Sequence, residues 1–403
     1  MKKIAAFMMA LVLFAVTAVG IHLFAGKRIE ANNREFGTWI SSKKDLSYSA
    51  VAANLHDDTY LLLGSSEFQH GQDTPYHPTA VFGQAELDVM CIGAAGNQCL
   101  PHAITMGALA PELKSKKAIL LVSPTWFGKG GIDANNFSAR FSESMYRAML
   151  ENESLSDELK EKLIARTDEL LAVSPSMQEN TERATRVLMG KESLTAAGSV
   201  KPLGLEDKVN FYIHSFLAQE KERISAGLMW KLSGHENYDE YEAGQISTPN
   251  WQALKEQADR EFAAQCSNDL AMRDKLYESK YKPILKSRKN SETKRSFASS
   301  PEYDDLRLFL AICADQGIEA ELVLLPLNGY WYDFTGFPRE NRDVVEGKVQ
   351  EVAAEFGVPL HSFYDQCYTR GWMEDNTHPA GRGWTEINEE VFEFFTADQE
   401  NAG

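Results

Sequence analysis

The chain has 403 residues, 43% of them hydrophobic, which is enough for two or three domain-sized units or for one domain with an insertion. Its 58 acidic residues outweigh 41 basic ones and leave a formal charge of −17. That balance disfavours nucleic acid, whose binding rests on Lys and Arg neutralising phosphates.

Lys2 and Lys3 precede Ile4 to Ala25, a run of 22 residues without Asp, Glu, Lys or Arg. A helix of that length crosses ~30 Å of hydrocarbon and exceeds the ~7–15-residue apolar core of a secretion signal. We therefore expect a cytoplasmic tail at 1–3, a single transmembrane anchor at 4–25 and everything beyond it outside the cytoplasm, at the cell membrane. Lys2 and Lys3 favour that orientation, although Lys27 and Arg28 weaken the charge rule; a cleaved signal is the alternative. The part beyond the anchor carries 39 basic and 58 acidic residues, a formal charge of −19, so an anionic substrate needs a local site or a partner to hold it. Residues 26–58, polar and mixed in charge, read as a juxtamembrane stalk.

Short apolar runs bounded by Gly, Pro or Ser follow. Tyr60–Leu63, Leu87–Ile92, Ala118–Val122 and Glu321–Leu325 read as buried parallel strands, and Pro359–Phe363 as a weaker fifth. Strands separated by helical lengths predict a parallel sheet with helices on both faces, here over 59–138 and 301–398. Between them, 139–300 is charged and helical in period, with Ser154 and Asp157 opening one helix and Leu205 to Leu232 forming a longer amphipathic one. Lys280 to Lys294 is a basic loop. The block is expected to be a helical insertion covering one end of the sheet.

In open α/β sheets ligands gather at the carboxyl ends of the strands. The first strand ends in Gly64-Ser65-Ser66-Glu67, where a helix beginning near Glu67 would favour an oxyanion at Ser66. Ser65 competes as nucleophile, and plain helix capping by either serine competes with both. Gly93-Ala94-Ala95-Gly96-Asn97-Gln98 ends the second strand. Its glycines permit close backbone approach, but without a third glycine it is no dinucleotide fingerprint. Far downstream, Asp375-Asn376-Thr377-His378 lies before Pro379, Gly381 and Gly383, so it reads as a loop presenting His378 to the sheet edge, with Asp375 holding the ring. Five cysteines allow a Cys91–Cys99 pair but cannot all pair internally, and no metal-ligand spacing occurs, so neither a metal nor another cofactor is expected.

Gly64-Ser65-Ser66, Gly96 and Asp375-x-x-His378 resemble blocks one, two and five of the SGNH (GDSL-type) hydrolases, a flavodoxin-like three-layer α/β sandwich. Within that group the chain is similar to the DltD family, the membrane-anchored D-alanine transfer proteins of lipoteichoic acid biosynthesis. The closer likeness rests on Leu63–Glu67 with Tyr76-His77-Pro78, on Gly93-x-x-Gly96-x-Gln98-x-Leu100-x-His102 and on Ser123-Pro124-Thr125-Trp126-Phe127. It also rests on Asp375-x-x-His378 ending in Arg382-Gly383-Trp384 and, most specifically, on Pro326-Leu327-Asn328-Gly329-Tyr330-Trp331-Tyr332-Asp333-Phe334-Thr335-Gly336.

The resemblance implies Ser66 as nucleophile, His378 as base, Asp375 as its orienting carboxylate and Gly96 as an oxyanion donor. Two departures stand out: Ser65 replaces the usual aspartate, and the third-block Gly-x-Asn-Asp is missing, which leaves the remaining oxyanion donor open, with Thr125, Gln98 and Asn97 as alternatives. Trp126, Phe127, Tyr330, Trp331 and Tyr332 offer flat surface to a sugar, glycerol or acyl chain, or else pack in the core. Asp333 and Glu67 are candidates to pair with a D-alanyl ammonium, and His77 and His102 are expected to be structural. The implied activity is D-alanyl transfer to lipoteichoic acid through an acyl-serine, with a membrane-bound O-acyltransferase and, indirectly, the D-alanyl carrier protein as partners. An envelope esterase or thioesterase, and a non-catalytic subunit presenting teichoic acid, are the competing readings.

Overall fold

A computed structural model describes residues 2–190 and 204–400; the part of the expected insertion at 191–203, and Met1 of the expected tail, lie outside the described residues. Five parallel strands, β1 (Tyr60–Leu63), β2 (Val89–Ile92), β3 (Lys117–Val122), β4 (Glu319–Leu324) and β5 (Leu360–Ser362), form one sheet in the order β2-β1-β3-β4-β5. Tyr60 pairs with Val89 on one side of β1 and Leu61 with Ala118 on the other. Successive strand residues point to opposite faces. Leu61, Leu63, Leu120 and Leu322 enter one core cluster, and Leu62, Cys91, Ile119 and Val323 the other. Both faces are covered, which is why the strands read as continuous apolar runs. β5 is the exception: an edge strand, half-buried throughout, and three residues long where five were expected.

The helices that matter for the site and for the membrane are α1 (Lys2–Ile29), α2 (Pro78–Ala85), α3 (Cys99–Leu109), α4 (Leu205–Leu232), α5 (Trp251–Ala263), α6 (Glu302–Asp315), α7 (Val344–Phe356) and α8 (Gly381–Glu400). The first cluster holds residues of α3, α6 and α7, and the second residues of α2, α5 and α8, so the sheet lies between two helical layers. This is the expected three-layer α/β sandwich of SGNH-like type. Cys91 and Cys99 fall in opposite clusters, on either side of the sheet, and all five cysteines are free.

α1 is long and apolar enough to cross a membrane, with a mean hydropathy of 2.3 over Met8–Ile29. Residues 26–58 do not form a solvated stalk. They fold as short helices at Arg34–Thr38, Ser42–Asp45 and Tyr48–Ala52, with Phe36, Ala50 and Val51 fully buried. Asn54 clamps the end of α1, accepting from the Ala31 N–H at 2.9 Å and donating to the Ile29 carbonyl. Buried Lys44 donates to the carbonyls of Gly37 (2.6 Å) and Cys91 (2.9 Å), and burial lowers its pKa. Hydrophobic residues spaced through a mixed-charge segment were enough to bury it.

Helices at Glu143–Glu151, Asp157–Leu171 and Pro175–Met189, followed by α4 and α5, are the long helices of the expected insertion. Leu159, Leu163, Ile164, Leu170 and Leu171 are buried as their spacing predicts, although the helix starts after Ser156 rather than Ser154. The basic stretch 280–294 is mostly a chain of one-turn helices whose end pairs with the Phe334 and Thr335 carbonyls through Asn290 and Glu292.

Candidate active site

β1 ends in a four-residue 3-10 turn, Ser66–Gln69, and not in the α-helix expected near Glu67. Glu67 folds back so that its carboxylate accepts the Ser65 N–H at 2.5 Å; a side chain at Gly64 would strike that carboxylate. Neither serine caps the turn. Ser65, 4% exposed, donates its hydroxyl to the Ala94 carbonyl at 3.2 Å, while Ser66 lies half-buried on the open side.

Ser66 Oγ stands 2.8 Å from His378 Nε2. On the other side of the ring, His378 Nδ1 lies 2.9 and 3.1 Å from the two oxygens of Asp375. Asp375 Oδ1 also accepts the backbone N–H groups of Thr377 and His378, each at 2.9 Å, so the turn that carries the carboxylate is closed by the carboxylate itself. Burial opposes both charges, yet their mutual hydrogen bond and attraction prevail: the imidazole pKa is raised and the Asp375 pKa lowered. The three residues, 312 positions apart at the extremes, are thus brought into one hydrogen-bonded line.

The Gly93–Gln98 loop lies against the serine turn. Gly96 has φ +93°, a left-handed conformation that favours glycine. Asn97 is buried, and the side-chain oxygen of Gln98, at the start of α3, is buried without a partner. Thr125 is half-buried and its hydroxyl is engaged with Ser123 Oγ at 2.8 Å. Burial keeps His77 and His102 neutral, each pKa pushed down to about 4, and each donates Nε2–H to a carbonyl of the serine turn, Phe68 (2.9 Å) and Gly64 (2.7 Å).

Several expected ligand contacts are instead packing. Trp126 (5% exposed), Phe127, Trp331 (5%) and Tyr332 sit in the core; of the five aromatics only Tyr330 keeps partial exposure, with its hydroxyl on the Tyr368 carbonyl at 2.8 Å. Asp333 is taken by Arg339 (2.8 Å), Arg342 (2.6 Å) and Tyr368 (2.9 Å), and Glu67 by the Ser65 amide, so neither offers a free carboxylate to an ammonium.

Sequence reasoning missed His70. Its ring stacks on His378 at 3.7 Å and 8°, and its Nδ1 meets Glu374, the residue before Asp375. Glu374 is also approached by Arg273, at 3.4 Å. Consecutive carboxylates therefore each hold one of two stacked imidazoles. Only the position of His70, one turn after Ser66, hinted at this. Asn328 was also unforeseen in its role: its side-chain amide donates to the carbonyls of Asp375 (3.0 Å) and Leu270 (2.9 Å), and Trp384 Nε1 donates to the His70 carbonyl at 3.1 Å.

A parallel 2-1-3-4-5 sheet with this constellation at its carboxyl edge defines an SGNH-like α/β sandwich with a Ser-His-Asp arrangement. The chain belongs to the DltD family, whose profile, described as DltD protein, matches residues 33–396. It is 29% identical to Protein DltD of Bacillus subtilis (strain 168) over 348 residues, 85% of this chain and 83% of that one. It is 26% identical to Protein DltD of Staphylococcus aureus (strain NCTC 8325 / PS 47) over 336 residues (82% and 80%), and 24% to Protein DltD of Lacticaseibacillus rhamnosus over 346 (82% and 76%). DltD proteins are involved in the D-alanylation of teichoic acids.

Proposed function

We propose that this chain is a membrane-anchored acyl-transfer enzyme that passes D-alanyl groups to lipoteichoic acid outside the cytoplasm, through an acyl-serine at Ser66. The observation that carries the reading is the 2.8 Å contact of Ser66 Oγ with an imidazole whose far nitrogen is held by Asp375. In the first half-reaction Ser66 Oγ attacks the donor carbonyl while His378 Nε2 takes the hydroxyl proton; the tetrahedral intermediate then expels the donor's leaving group, which receives that proton. In the second, His378 takes the proton of an acceptor hydroxyl as its oxygen attacks the acyl carbon, and Ser66 leaves with its proton restored. Asp375 fixes the tautomer and stabilises the imidazolium. The Gly96 amide, with Gln98 or Thr125, is the candidate oxyanion stabiliser; Gln98 would act through its amide N–H groups and Thr125 through its hydroxyl, which now meets Ser123.

The anchor is 4–25, with 1–3 in the cytoplasm. The donor is a membrane-bound O-acyltransferase fed by the D-alanyl carrier protein. The described parts of the insertion, 139–190 and 204–300, form the cover that keeps water from the acyl-serine. Ser66→Ala tests the reading: envelope D-alanine ester is expected to be lost while folding and membrane insertion persist, and a labelled D-alanyl adduct is expected on Ser66 of the parent protein. Retained ester with the Ser66→Ala chain overturns catalysis in favour of a presenting subunit. A sharp loss in Ser65→Ala but not in Ser66→Ala overturns the choice of nucleophile.

A further inference from the structure

α4 runs beside the last turns of α1. Gly227 abuts Arg28, Arg223 reaches Gly26, and Glu220 and Arg223 both meet His22 at 2.8 Å. Residue numbers fall together along both helices, so they point the same way. Their C-terminal ends are tied by Asn237, which donates to the Glu30 carbonyl at 2.8 Å and accepts from Trp230 Nε1 at 3.1 Å. Asn54 ties the same end from the other side, through the Ala31 N–H.

Three faces of α4 are distinct. Phe211, Ala226 and Trp230 bury into the body, while Glu220, Arg223 and Gly227 face α1. The third face, adjoining the α1 side at helical spacing, carries Ile213, Leu217, Ile224, Leu228 and Leu232, exposed by 50, 50, 39, 52 and 71%. α1 exposes its own apolar residues beside it, among them Val19, Leu23 and Phe24.

From this we infer that the outward face of α4 is an interfacial membrane-binding surface, bedded in the same leaflet from which α1 emerges. The inference rests on reading α1 as a membrane span. The ion cluster at His22 marks where hydrocarbon ends, because a charged pair is costly inside it. Residues 4–21 then cross about 27 Å, close to the ~30 Å core; the last two turns of α1 stand at headgroup depth beside Ile224, Leu228 and Leu232, while Ile213 and Leu217, which precede Glu220 on the parallel α4, reach the edge of the hydrocarbon. Exposed Lys221 and Lys231 stand on the apolar face of α4 itself, and exposed Lys27 and half-buried Arg28, the latter over Phe24 at 4.0 Å, end α1 beside it. Long basic side chains lying along an apolar face can reach anionic headgroups while their stems stay buried. The occupant is thus the lipid surface.

The test uses the full chain in phosphatidylglycerol-containing vesicles, with half-buried Cys266 and Cys367 changed to serine and a solvatochromic label placed by Leu217→Cys, Ile224→Cys or Leu228→Cys. Lys162→Cys on the exposed side of the helix Asp157–Leu171 and Val16→Cys in α1 are the aqueous and hydrocarbon references. Labels at the three α4 sites are expected to shift to the blue and to be quenched several-fold by lipid-borne quenchers, with no change at 162. Water-like labels on α4 beside a protected Val16 site overturn the proposal, as does protection that appears only in native membranes, which assigns the face to a protein partner. A water-like Val16 site overturns the spanning reading itself, and the proposal with it.

Discussion

Gly93→Ala probes whether the turns after β1 and β2 must touch for Ser66 to be aimed at His378. A Cβ at position 93 falls 2.4 Å from the Gly64 carbonyl oxygen, 2.5 Å from its carbon and 2.9 Å from the Phe68 ring. Ordinary contact begins near 3.4 Å, so the two backbones have to part by about 1 Å. The Gly64 carbonyl also accepts the His102 Nε2–H at 2.7 Å, which leaves it little freedom to move without orphaning a buried donor. Overpacking of this kind costs about 1–3 kcal/mol, and a displacement of about 1 Å at a positioned reacting group costs about 10²-fold in rate. The expected result is a melting temperature lower by a few degrees and a roughly 100-fold slower labelling of Ser66 by a serine-directed fluorophosphonate. Gly83→Ala is the control: its Cβ meets open space on α2, so stability should hold or rise. A Gly93→Ala protein with parental melting and parental labelling would refute the idea that backbone proximity here sets the nucleophile's position.

Two further predictions concern protons. Asp375 raises the His378 pKa above its ordinary 6.5, so the free base should appear, and Ser66 labelling rise, only above that pH; Asp375→Asn should move the midpoint down and cut the rate by about 10⁴. A raised His378 adds stability that is complete below 6.5 and lost as pH rises through its folded value, whereas a lowered Asp375 adds stability above 3.8 that is lost as pH falls through its folded value. The melting difference between parent and Asp375→Asn should therefore be largest between those two pH values. His102 has the opposite sign: with its pKa pushed down to about 4, the stability it contributes is complete above 6.5 and is lost as pH falls toward 4, a loss of order 3 kcal/mol. His102→Gln, which can keep the donor to Gly64, should flatten the melting-against-pH curve across that window; an unchanged slope would assign acid lability elsewhere.

The sheet was legible because its strands are buried on both faces and punctuated by Gly, Pro or Ser; β1 begins and ends where its apolar run does. α4, likewise, keeps the limits its periodicity indicated. The candidate triad was legible for another reason: Asp and His lie three residues apart on one turn, and a serine after the first strand needs only the sheet to meet them. His70 and Glu374 carry no such signal, since nothing local to either records a contact across 304 positions. Residues 26–58 misled because a mixed-charge composition hides a few hydrophobic anchors, Phe36 and Val51 among them, that decide burial. Cys91 and Cys99 misled through spacing, for eight residues spanning a strand end and a helix start place the thiols on opposite sides of the sheet.

The long Pro326–Gly336 stretch carries the most specific family likeness, yet two of its four aromatics, Trp331 and Tyr332, are buried and the other two half-buried, so direct substrate contact does not account for it. Its geometry indicates a mechanical one. Asn328 holds the Asp375 carbonyl through its side chain and the Asn376 carbonyl through its backbone N–H, and Tyr332 lies 3.4 Å from the Asn376 side chain. From the other side Tyr281 donates to Asn376 at 2.5 Å, and Arg273 donates its N–H to the Glu374 carbonyl. The loop that carries Asp375 and His378 is therefore gripped between the segment that follows β4 and the segment at 270–281 that precedes it. Under the proposed acyl transfer, His378 has to hold its place through two half-reactions, once as base toward Ser66 and once toward an acceptor hydroxyl. A loop free to drift by about 1 Å would admit water as readily as a polyol. Because the residues that fix His378 come from both parts of the chain, changes at 270–281 should alter the partition between transfer and hydrolysis without touching any reacting atom.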